Sequence, residues 1–251
     1  MRRLIPISVL VMAAFVIMPK ISAGALVLMR PVAAAEPVDL ELVLTADGSG
    51  SIDDEELALQ RRGYAEAITH PQVLDAIRSG FRQAIAVAYV EWGAPESQHT
   101  IVDWMKISDP ASAKAFAERL VNEPRQAFGY NSISAAIDYS ANLIRTNKYT
   151  GSRKVIDVSG DGPQIGGRPL SSARGEAVLS GITINALVVD SPGGGHRGPL
   201  GEPLVDHYRN DVIGGAGAFV MTAQSRRHFA IAVRRKLILE IADNGGFEIR
   251  R

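Results

Sequence analysis

The sequence predicts an α/β fold, in which a doubly wound and mostly parallel central sheet carries helices on both faces. Apolar segments of strand length alternate along the chain with segments of helical periodicity. Several strand segments are apolar nearly throughout, as expected of parallel strands buried on both faces. Of the 251 residues, 216 follow a distinct N-terminal segment of 35, a length that suits one domain with a substantial core.

Residues 1–35 are treated separately, because they combine four basic residues, no acidic residue and an apolar run over 4–18. The run is short for a membrane span and is typical of a secretory signal peptide. Small residues place the cleavage after Ala35, with Ala23 as the alternative, and an uncleaved anchor is the competing interpretation. We therefore expect a periplasmic or secreted protein without a membrane span in the mature chain.

Net charge and the absence of cysteine exclude several classes of function and site. The whole chain has 27 basic and 27 acidic residues, so removing the four basic residues of the signal segment leaves a net charge of about −4. A net negative domain argues against nucleic-acid binding. The chain has no cysteine, which excludes disulfides and thiolate metal sites and is compatible with a bacterial periplasm.

The predicted domain spans residues 36–243 and leaves 244–251 as a tail. It begins with a buried strand at 38–46. The helix that follows, at 55–69, comes after acidic residues that suit the positive end of a helix. Pro71 then starts a shorter helix that ends near Arg78.

Two strands and two helices are predicted in the middle of the chain. The segment 85–92 is apolar nearly throughout, whereas 99–107 alternates with the period of a half-exposed strand. Apolar residues recur at helical spacing over 111–122 and 134–146, and Pro124 marks the break between these helices.

The last third of the chain continues the alternation of strands and helices. Its longest irregular stretch, 191–203, is rich in glycine and proline and predicts a surface loop. The predicted strands are 154–159, 183–190 and 218–222, and the predicted helices are 171–180 and 228–242.

Polar side chains follow the first predicted strand in the segment LTADGSGSIDD, residues 44–54. Asp47, Ser49 and Ser51 occupy alternate positions, and the glycines between them are expected to permit the backbone angles of a tight turn. Asp161 follows the strand 154–159, and a polar loop with Asn131 precedes a predicted helix. Ligands bind at the carboxyl ends of strands in such sheets, and oxygen ligands suit Mg²⁺ or Mn²⁺.

These segments resemble the von Willebrand factor A (vWA) family and its metal-ion-dependent adhesion site (MIDAS). The family motif Asp-x-Ser-x-Ser matches residues 47–51, and its later Asp-Gly matches Asp161 and Gly162. The resemblance covers roughly residues 38–242. A signal segment, the ending VIDVSGDGP at 155–163 and a compact single domain are similar to an uncharacterised secreted proteobacterial branch of the family.

The resemblance implies a site for Mg²⁺ or Mn²⁺, with Ca²⁺ also considered. It implies that Ser49 and Ser51 bind the metal directly, and that Asp47 and Asp161 bind it directly or through water. The family normally has a threonine in the middle loop, where this chain has Asn131 followed by Ser132. An amide oxygen can still reach a metal or its water, so Asn131 completes the expected set, and Ser132 is the adjacent substitute.

Function is therefore predicted as a non-enzymatic protein-binding module, which captures a carboxylate of an unidentified protein partner through the cation. A metal-assisted hydrolase of phosphate or ester groups is the alternative. A vestigial structural vWA domain is the third interpretation, which the Asn131 substitution favours. The five histidines show no spacing typical of a ligand pair; they are His70, His99, His196, His207 and His228.

Two local interpretations remain open at this point. Ser51 with Asp54 resembles a helix cap, so the motif at 47–51 also fits an ordinary turn before a helix. Asp157 lies within an apolar strand, where an unpaired charge is costly. It is expected either to pair with a donor from a neighbouring helix or loop, or to orient the metal ligands.

Overall fold

A computed structural model describes residues 34–189, 197–223 and 228–242. Most of the predicted signal segment, the tail and part of the predicted loop at 191–203 therefore lie outside the described residues. The domain limits 36–243 stay a prediction. No helix in the described ranges has the length and apolar character that crossing a membrane requires.

A six-stranded sheet forms the centre of the domain, with strand order β3-β2-β1-β4-β5-β6. All neighbouring pairs are parallel except β2 with β3, which is antiparallel. The predicted mostly parallel sheet is thus confirmed, with one antiparallel strand at its edge. The strands are β1 Glu36–Asp47, β2 Ile85–Trp92, β3 Gln98–Ile107, β4 Tyr149–Gly160, β5 Thr183–Val189 and β6 Val220–Ala223.

Helices cover both faces of this sheet. The helices are α1 Asp54–Thr69, α2 Pro71–Arg78, α3 Pro110–Asn122, α4 Ile133–Thr146, α5 Leu170–Leu179, α6 Leu204–His207 and α7 Phe229–Ala242. Successive side chains of a strand point to opposite faces. Accordingly, Leu42 and Leu44 of β1 belong to the same apolar cluster as α1 and α7, whereas Val43 belongs to the cluster that contains α4 and α5.

The strand order reverses between β1 and β4, which lie side by side in the centre of the sheet. From β1 the chain continues through β2 to β3 on one side, and from β4 through β5 to β6 on the other. Such a reversal leaves a crevice at the carboxyl ends of the two central strands. Asp47 ends β1 and Gly160 ends β4, so this crevice receives the polar loops predicted to bind metal.

The structure differs from the predicted elements at strand ends and in two short helical segments. β1 and β4 extend beyond the predicted limits at both ends. The sequence did not predict α6 or the π-helical turn Tyr208–Val212 that follows it. Segments of four and five residues are too short to show a helical period, although Leu204, Tyr208 and Val212 are buried.

A cluster of charged side chains lies inside the domain between β4 and α7. Lys236 Nζ is 2.6 Å from Asp157 Oδ1 and 2.5 Å from Glu240 Oε1, and all three side chains are buried. Asn185 of β5 donates its Nδ2 to Glu240 Oε1 at 3.0 Å. The interpretation of Asp157 as a structural carboxylate, paired with a donor from a neighbouring helix, is therefore confirmed.

Candidate metal centre

Three loops bring the predicted ligands together at the carboxyl edge of the sheet. The first follows β1 and carries Ser49 and Ser51, and the second follows β4 and carries Asp161. The third precedes α4 and carries Asn131. Hydrogen bonds join residues from all three loops, although Ser51 and Asp161 are 110 positions apart in the sequence.

Side-chain oxygens of three predicted ligands form a chain. Ser49 Oγ lies 3.0 Å from Ser51 Oγ, and Ser51 Oγ donates to Asp161 Oδ1 at 3.4 Å. The backbone N–H of Ser49 donates to Asp47 Oδ1 at 2.8 Å, which holds the Asp47 carboxylate against the same loop. Four of the five predicted ligands are thus linked by direct contacts, three through side-chain oxygens and Asp47 through the backbone N–H of Ser49.

Ser51 is available to the site because another residue caps α1. Asp53 accepts the backbone N–H of Glu56 at 2.8 Å, and the Glu56 carboxylate accepts the N–H of Asp53 at 3.0 Å. This reciprocal pair is a complete capping box. The interpretation of Ser51 as the helix cap is therefore wrong, and its hydroxyl faces Ser49 and Asp161 instead.

Asn131 is brought to the site through its amide nitrogen. Its Nδ2 donates to Asp47 Oδ2 at 3.0 Å, so it fixes the orientation of that carboxylate. Ser132, the adjacent hydroxyl, is used elsewhere: it caps α4 and donates to the carbonyl of Gly166 at 2.8 Å. Of these two residues, Asn131 is the one that contacts a predicted ligand.

Electrostatics favour a cation in this position. Asp47 is fully buried, and burial raises the pKa of its carboxyl to about 7, with the nearby charge of Asp161 acting in the same direction. The hydrogen bonds from Ser49 lower the pKa but do not cancel these effects. A bound cation would relieve both causes, because it stabilises the two ionised carboxylates.

The spacing of the hydroxyls also fits a hard cation. Ligand oxygens at about 2.1 Å from an octahedral Mg²⁺ lie about 3.0 Å from one another, and at the longer Ca²⁺ distances they lie about 3.4 Å apart. The oxygen contacts of Ser51, at 3.0 and 3.4 Å, fall in this range. The residues present therefore fit a divalent cation held by oxygen.

Glycines at the site permit close approach. A Cβ at Gly160 would lie 3.2 Å from Asp47 Oδ2, and one at Gly162 would lie 2.6 Å from Asn131 Nδ2. A Cβ at Gly48 would lie 2.9 Å from that of Ala127. The expectation that Gly48 and Gly50 provide unusual backbone angles is not met, since neither has positive φ. At Gly48 the requirement is space.

Three further residues brace the site, and the sequence did not indicate them. Arg125 donates to the carbonyls of Gly48 and Ser49 at 2.9 Å each, and to that of Ile52 at 2.8 Å. Gln60 of α1 donates to the carbonyl of Asp47 at 2.9 Å. From the other side, the hydroxyl of Tyr208 donates to the carbonyl of Gly162 at 3.0 Å.

A second group of potential metal ligands lies beside α6, where Glu202, His207 and Asp211 place ligand atoms within 4.8 Å of one another. The backbone N–H of Gln164 donates to His207 Nε2 at 3.3 Å, so the neutral imidazole carries its proton on Nδ1. That atom lies 2.8 Å from Asp211 Oδ2 and donates to it. Nδ1 would have to release this proton to bind a metal, and in this structure His207 holds the loop after Asp161.

Comparisons with known proteins give the family and the fold of the chain. A family profile described as protein of unknown function (DUF1194) matches residues 37–245. The chain belongs to this family. A search of curated proteins finds no match for this DUF1194 member.

Solved structures place the fold of the DUF1194 chain among vWA domains, which confirms the resemblance. A von Willebrand factor type A protein from Catenulispora acidiphila is 15% identical with a TM-score of 0.58; the match covers 81% of this chain and 43% of that one. The vWF domain of the type V pili tip protein Mfa5 from Porphyromonas gingivalis is 12% identical with a TM-score of 0.55, and the match covers 84% and 98%.

A third similar structure contains a metal. Proximal thread matrix protein 1 from the mussel byssus, solved with a zinc-occupied MIDAS motif, is 13% identical with a TM-score of 0.55. The match covers 82% of this chain and 46% of the mussel protein. The DUF1194 chain thus spans less than half the length of the first and third of these proteins. At these identities the likeness shows the shared fold alone.

Proposed function

We propose that this protein is an exported binding module, which holds a divalent cation at the carboxyl edge of its sheet and captures a carboxylate of a protein partner. The observation that carries the proposal is the convergence of Asp47, Ser49, Ser51 and Asp161, which hydrogen bonds join at one edge of the sheet. The proposed ligands are these four residues and the amide oxygen of Asn131, whose amide nitrogen orients Asp47 in this structure.

The cation would supply an open coordination position with affinity for an anionic oxygen of the partner. The residues of the chain do the rest: Asp47 and Asp161 balance the charge, the two serine hydroxyls set the spacing, and Arg125 keeps the turn in place. Mg²⁺ and Mn²⁺ are the proposed metals, because the ligand set is oxygen only. The zinc in the mussel protein adds Zn²⁺ to the metals worth testing.

Similar structures support a role in adhesion. They include the pili tip domain from Porphyromonas gingivalis and the pilus adhesin SpaC from Lactobacillus rhamnosus GG. We extend to this chain only the general idea of a protein-binding surface outside the cytoplasm.

The proposed export rests on the N-terminal segment. The mass of the protein recovered from a periplasmic fraction tests it. Retention of residues 1–35 in that fraction would contradict cleavage.

Thermal unfolding in EDTA, Mg²⁺, Mn²⁺, Ca²⁺ or Zn²⁺ tests the metal site. A cation at about 100 times its dissociation constant adds about 2.7 kcal/mol to the free energy of unfolding, which raises the melting temperature by a few degrees. We expect this shift in the wild type and in Asp103→Ala, a change at an exposed aspartate, and no shift in Asp47→Ala. Equal shifts in all three proteins would exclude the site.

The hydrolase alternative predicts a different readout from the same samples. Metal-dependent turnover of p-nitrophenyl phosphate or p-nitrophenyl acetate, lost in Asp47→Ala, would favour catalysis over binding. The binding proposal expects no turnover with either compound.

A further inference from the structure

Three large apolar side chains are exposed on the loops that carry Asn131 and Asp161. Phe128 and Tyr130 are each 56% exposed, and Ile165 is 61% exposed. We call these three residues the apolar rim. Single exposed apolar residues are common on protein surfaces, but a group of them beside a functional site is typical of an interaction surface.

Backbone hydrogen bonds place the apolar rim next to the metal ligands. The N–H of Gly50 donates to the carbonyl of Gly129 at 2.7 Å, so the two rim aromatics flanking Gly129 lie beside the turn that carries Ser49 and Ser51. The N–H of Ile165 donates to the carbonyl of Asn131 at 2.9 Å. Both attachments join a rim residue or its immediate neighbour to the loops of the site.

Tyr130 adjoins the loop that carries Ile165, and Phe128 lies beside His99. A Cβ at Gly166 would lie 2.7 Å from Tyr130 Cε2 and 3.2 Å from Pro95 Cγ, so the tyrosine ring lies against the residue next to Ile165. The aromatic ring of Phe128 is 6.3 Å from the His99 ring, which supports it from the side of β3. The rim is therefore a surface of neighbouring loops with defined backbone positions.

A small cavity of about 20 Å³ lies beside Asp161, enough for a water molecule. Its lining includes Ile52, Leu59 and Phe229, and Glu56 and Gln60 of α1 add polar groups. The cavity is too small to take an apolar side chain of a partner. The apolar rim is therefore the surface beside the candidate metal position that such a side chain would cover.

We propose that the partner binds through an acidic residue with an aromatic neighbour. This inference rests on the proposed function. The cation requires an anionic oxygen, so the central residue is Asp or Glu. The aromatic neighbour would cover the apolar rim. Covering the rim also removes water from the metal contact, which strengthens it.

Two synthetic nonapeptides test this specificity with the purified protein. One has the central sequence Phe-Asp-Ser and the other Ser-Asp-Ser, in an otherwise identical Gly/Ser background, and fluorescence anisotropy measures binding in Mn²⁺, Mg²⁺ and EDTA. Burying apolar side chains is worth enough to change affinity by about tenfold or more. We expect the first peptide to bind at least that much more tightly, and only with metal.

Matched variants assign the effect to the rim. We expect Phe128→Ser with Tyr130→Ser and Ile165→Ser to reduce the preference to about twofold or less, with an unchanged metal-induced shift in melting temperature. Serine at three other exposed apolar residues should leave the preference intact; these are Phe81, Leu179 and Leu200, which are 89%, 89% and 94% exposed.

Failure of this inference differs from failure of the proposed function. Equal, metal-dependent binding of both peptides would overturn the apolar specificity and leave metal-mediated capture in place. A preference for Phe-Asp-Ser that survives the rim substitutions would likewise overturn it. Binding of neither peptide in either metal would contradict the proposed function, and the inference would fall with it.

Discussion

Arg125 shows at the scale of a single residue how the candidate site keeps its shape. Its guanidinium donates to three carbonyls of the turn after β1 and lies 3.1 Å from the carboxylate of Asp54. A planar group with several donors can satisfy these carbonyls together, whereas a lysine ammonium on a flexible chain cannot keep the same geometry.

We therefore predict that Arg125→Lys weakens the binding of Mn²⁺ about tenfold, because hydrogen bonds that hold Ser49 and Ser51 in place are lost. Isothermal titration calorimetry measures the dissociation constant. Arg145→Lys is the control, since Arg145 is exposed and its nearest described partner is Asn142 at 3.5 Å. An unchanged dissociation constant in Arg125→Lys would mean that the turn keeps its shape without this residue.

At the scale of an element, α7 is joined to the sheet by charges that are fully buried. Lys236 lies between Asp157 of β4 and Glu240 of its own helix, so the cluster has one more acidic group than basic. Burial, and then the charge of Asp157, raise the pKa of Glu240 to about 7, and burial also raises the pKa of Asp157. An uncompensated charge in this position is costly, so protonation of the cluster stabilises the attachment of α7.

The sign of the pH dependence follows from this raised pKa. Between the ordinary pKa of 4.5 and the folded value of about 7, the folded protein holds a proton on Glu240 that the unfolded chain has lost. The contribution of this carboxyl to stability is therefore present below pH 4.5 and is lost as the pH rises toward 7, by on the order of 3 kcal/mol.

Glu240→Gln removes this titration while keeping the size of the side chain. We predict that the variant gains stability relative to the wild type as the pH rises from 4.5 to 7.5, measured by urea unfolding at several pH values. Glu118→Gln is the control, because Glu118 is exposed and pairs only loosely with Lys114 at 3.6 Å. A constant difference between Glu240→Gln and the wild type across this range would contradict the prediction.

At the scale of the whole molecule, the site exists because the strand order brings distant segments to one edge. Residues 47–52, 128–132 and 160–165 come from three parts of the chain, and the parallel pairing of β1 with β4 sets two of them side by side. A fourth part of the chain, α6 and the turn after it, holds the loop 160–165 in place. His207 accepts the N–H of Gln164, and Tyr208 donates to the carbonyl of Gly162. We therefore expect metal binding to stabilise several separate segments at once.

Hydrogen exchange measured by mass spectrometry tests this expectation. With Mg²⁺ or Mn²⁺ we predict slower exchange in 47–52, 128–132 and 160–165, and unchanged exchange in β3, because binding removes local openings of the loops that hold the ion. Slower exchange confined to 202–211 would place the ion instead at the group formed by Glu202, His207 and Asp211. The same experiment in Asp47→Ala is the control, and it should show no protection.

Local patterns in the sequence were sufficient for the fold class and for most of the central elements. The apolar period of two or 3.6 residues reports which side of a segment is buried, and this information does not depend on the order of the strands. For the same reason the motif at 47–51 and the later Asp161 could be predicted to meet, since both follow strands of a parallel sheet. The resemblance to vWA domains rested on these segments and is confirmed.

Only the tertiary structure decided how the site is built. It shows that Asn131 meets Asp47 through its amide nitrogen, that Asp53 rather than Ser51 caps α1, and that Arg125 braces the turn. Arg125 lies 76 and 77 positions from Ser49 and Gly48, whose carbonyls it contacts, and Gln164 lies 43 positions from His207. A periodic pattern in the sequence cannot predict contacts at such separations. They depend on how helices and loops from different parts of the chain pack against one another. The sequence by itself determined which segments carry the chemistry, and the packing determined which atoms meet.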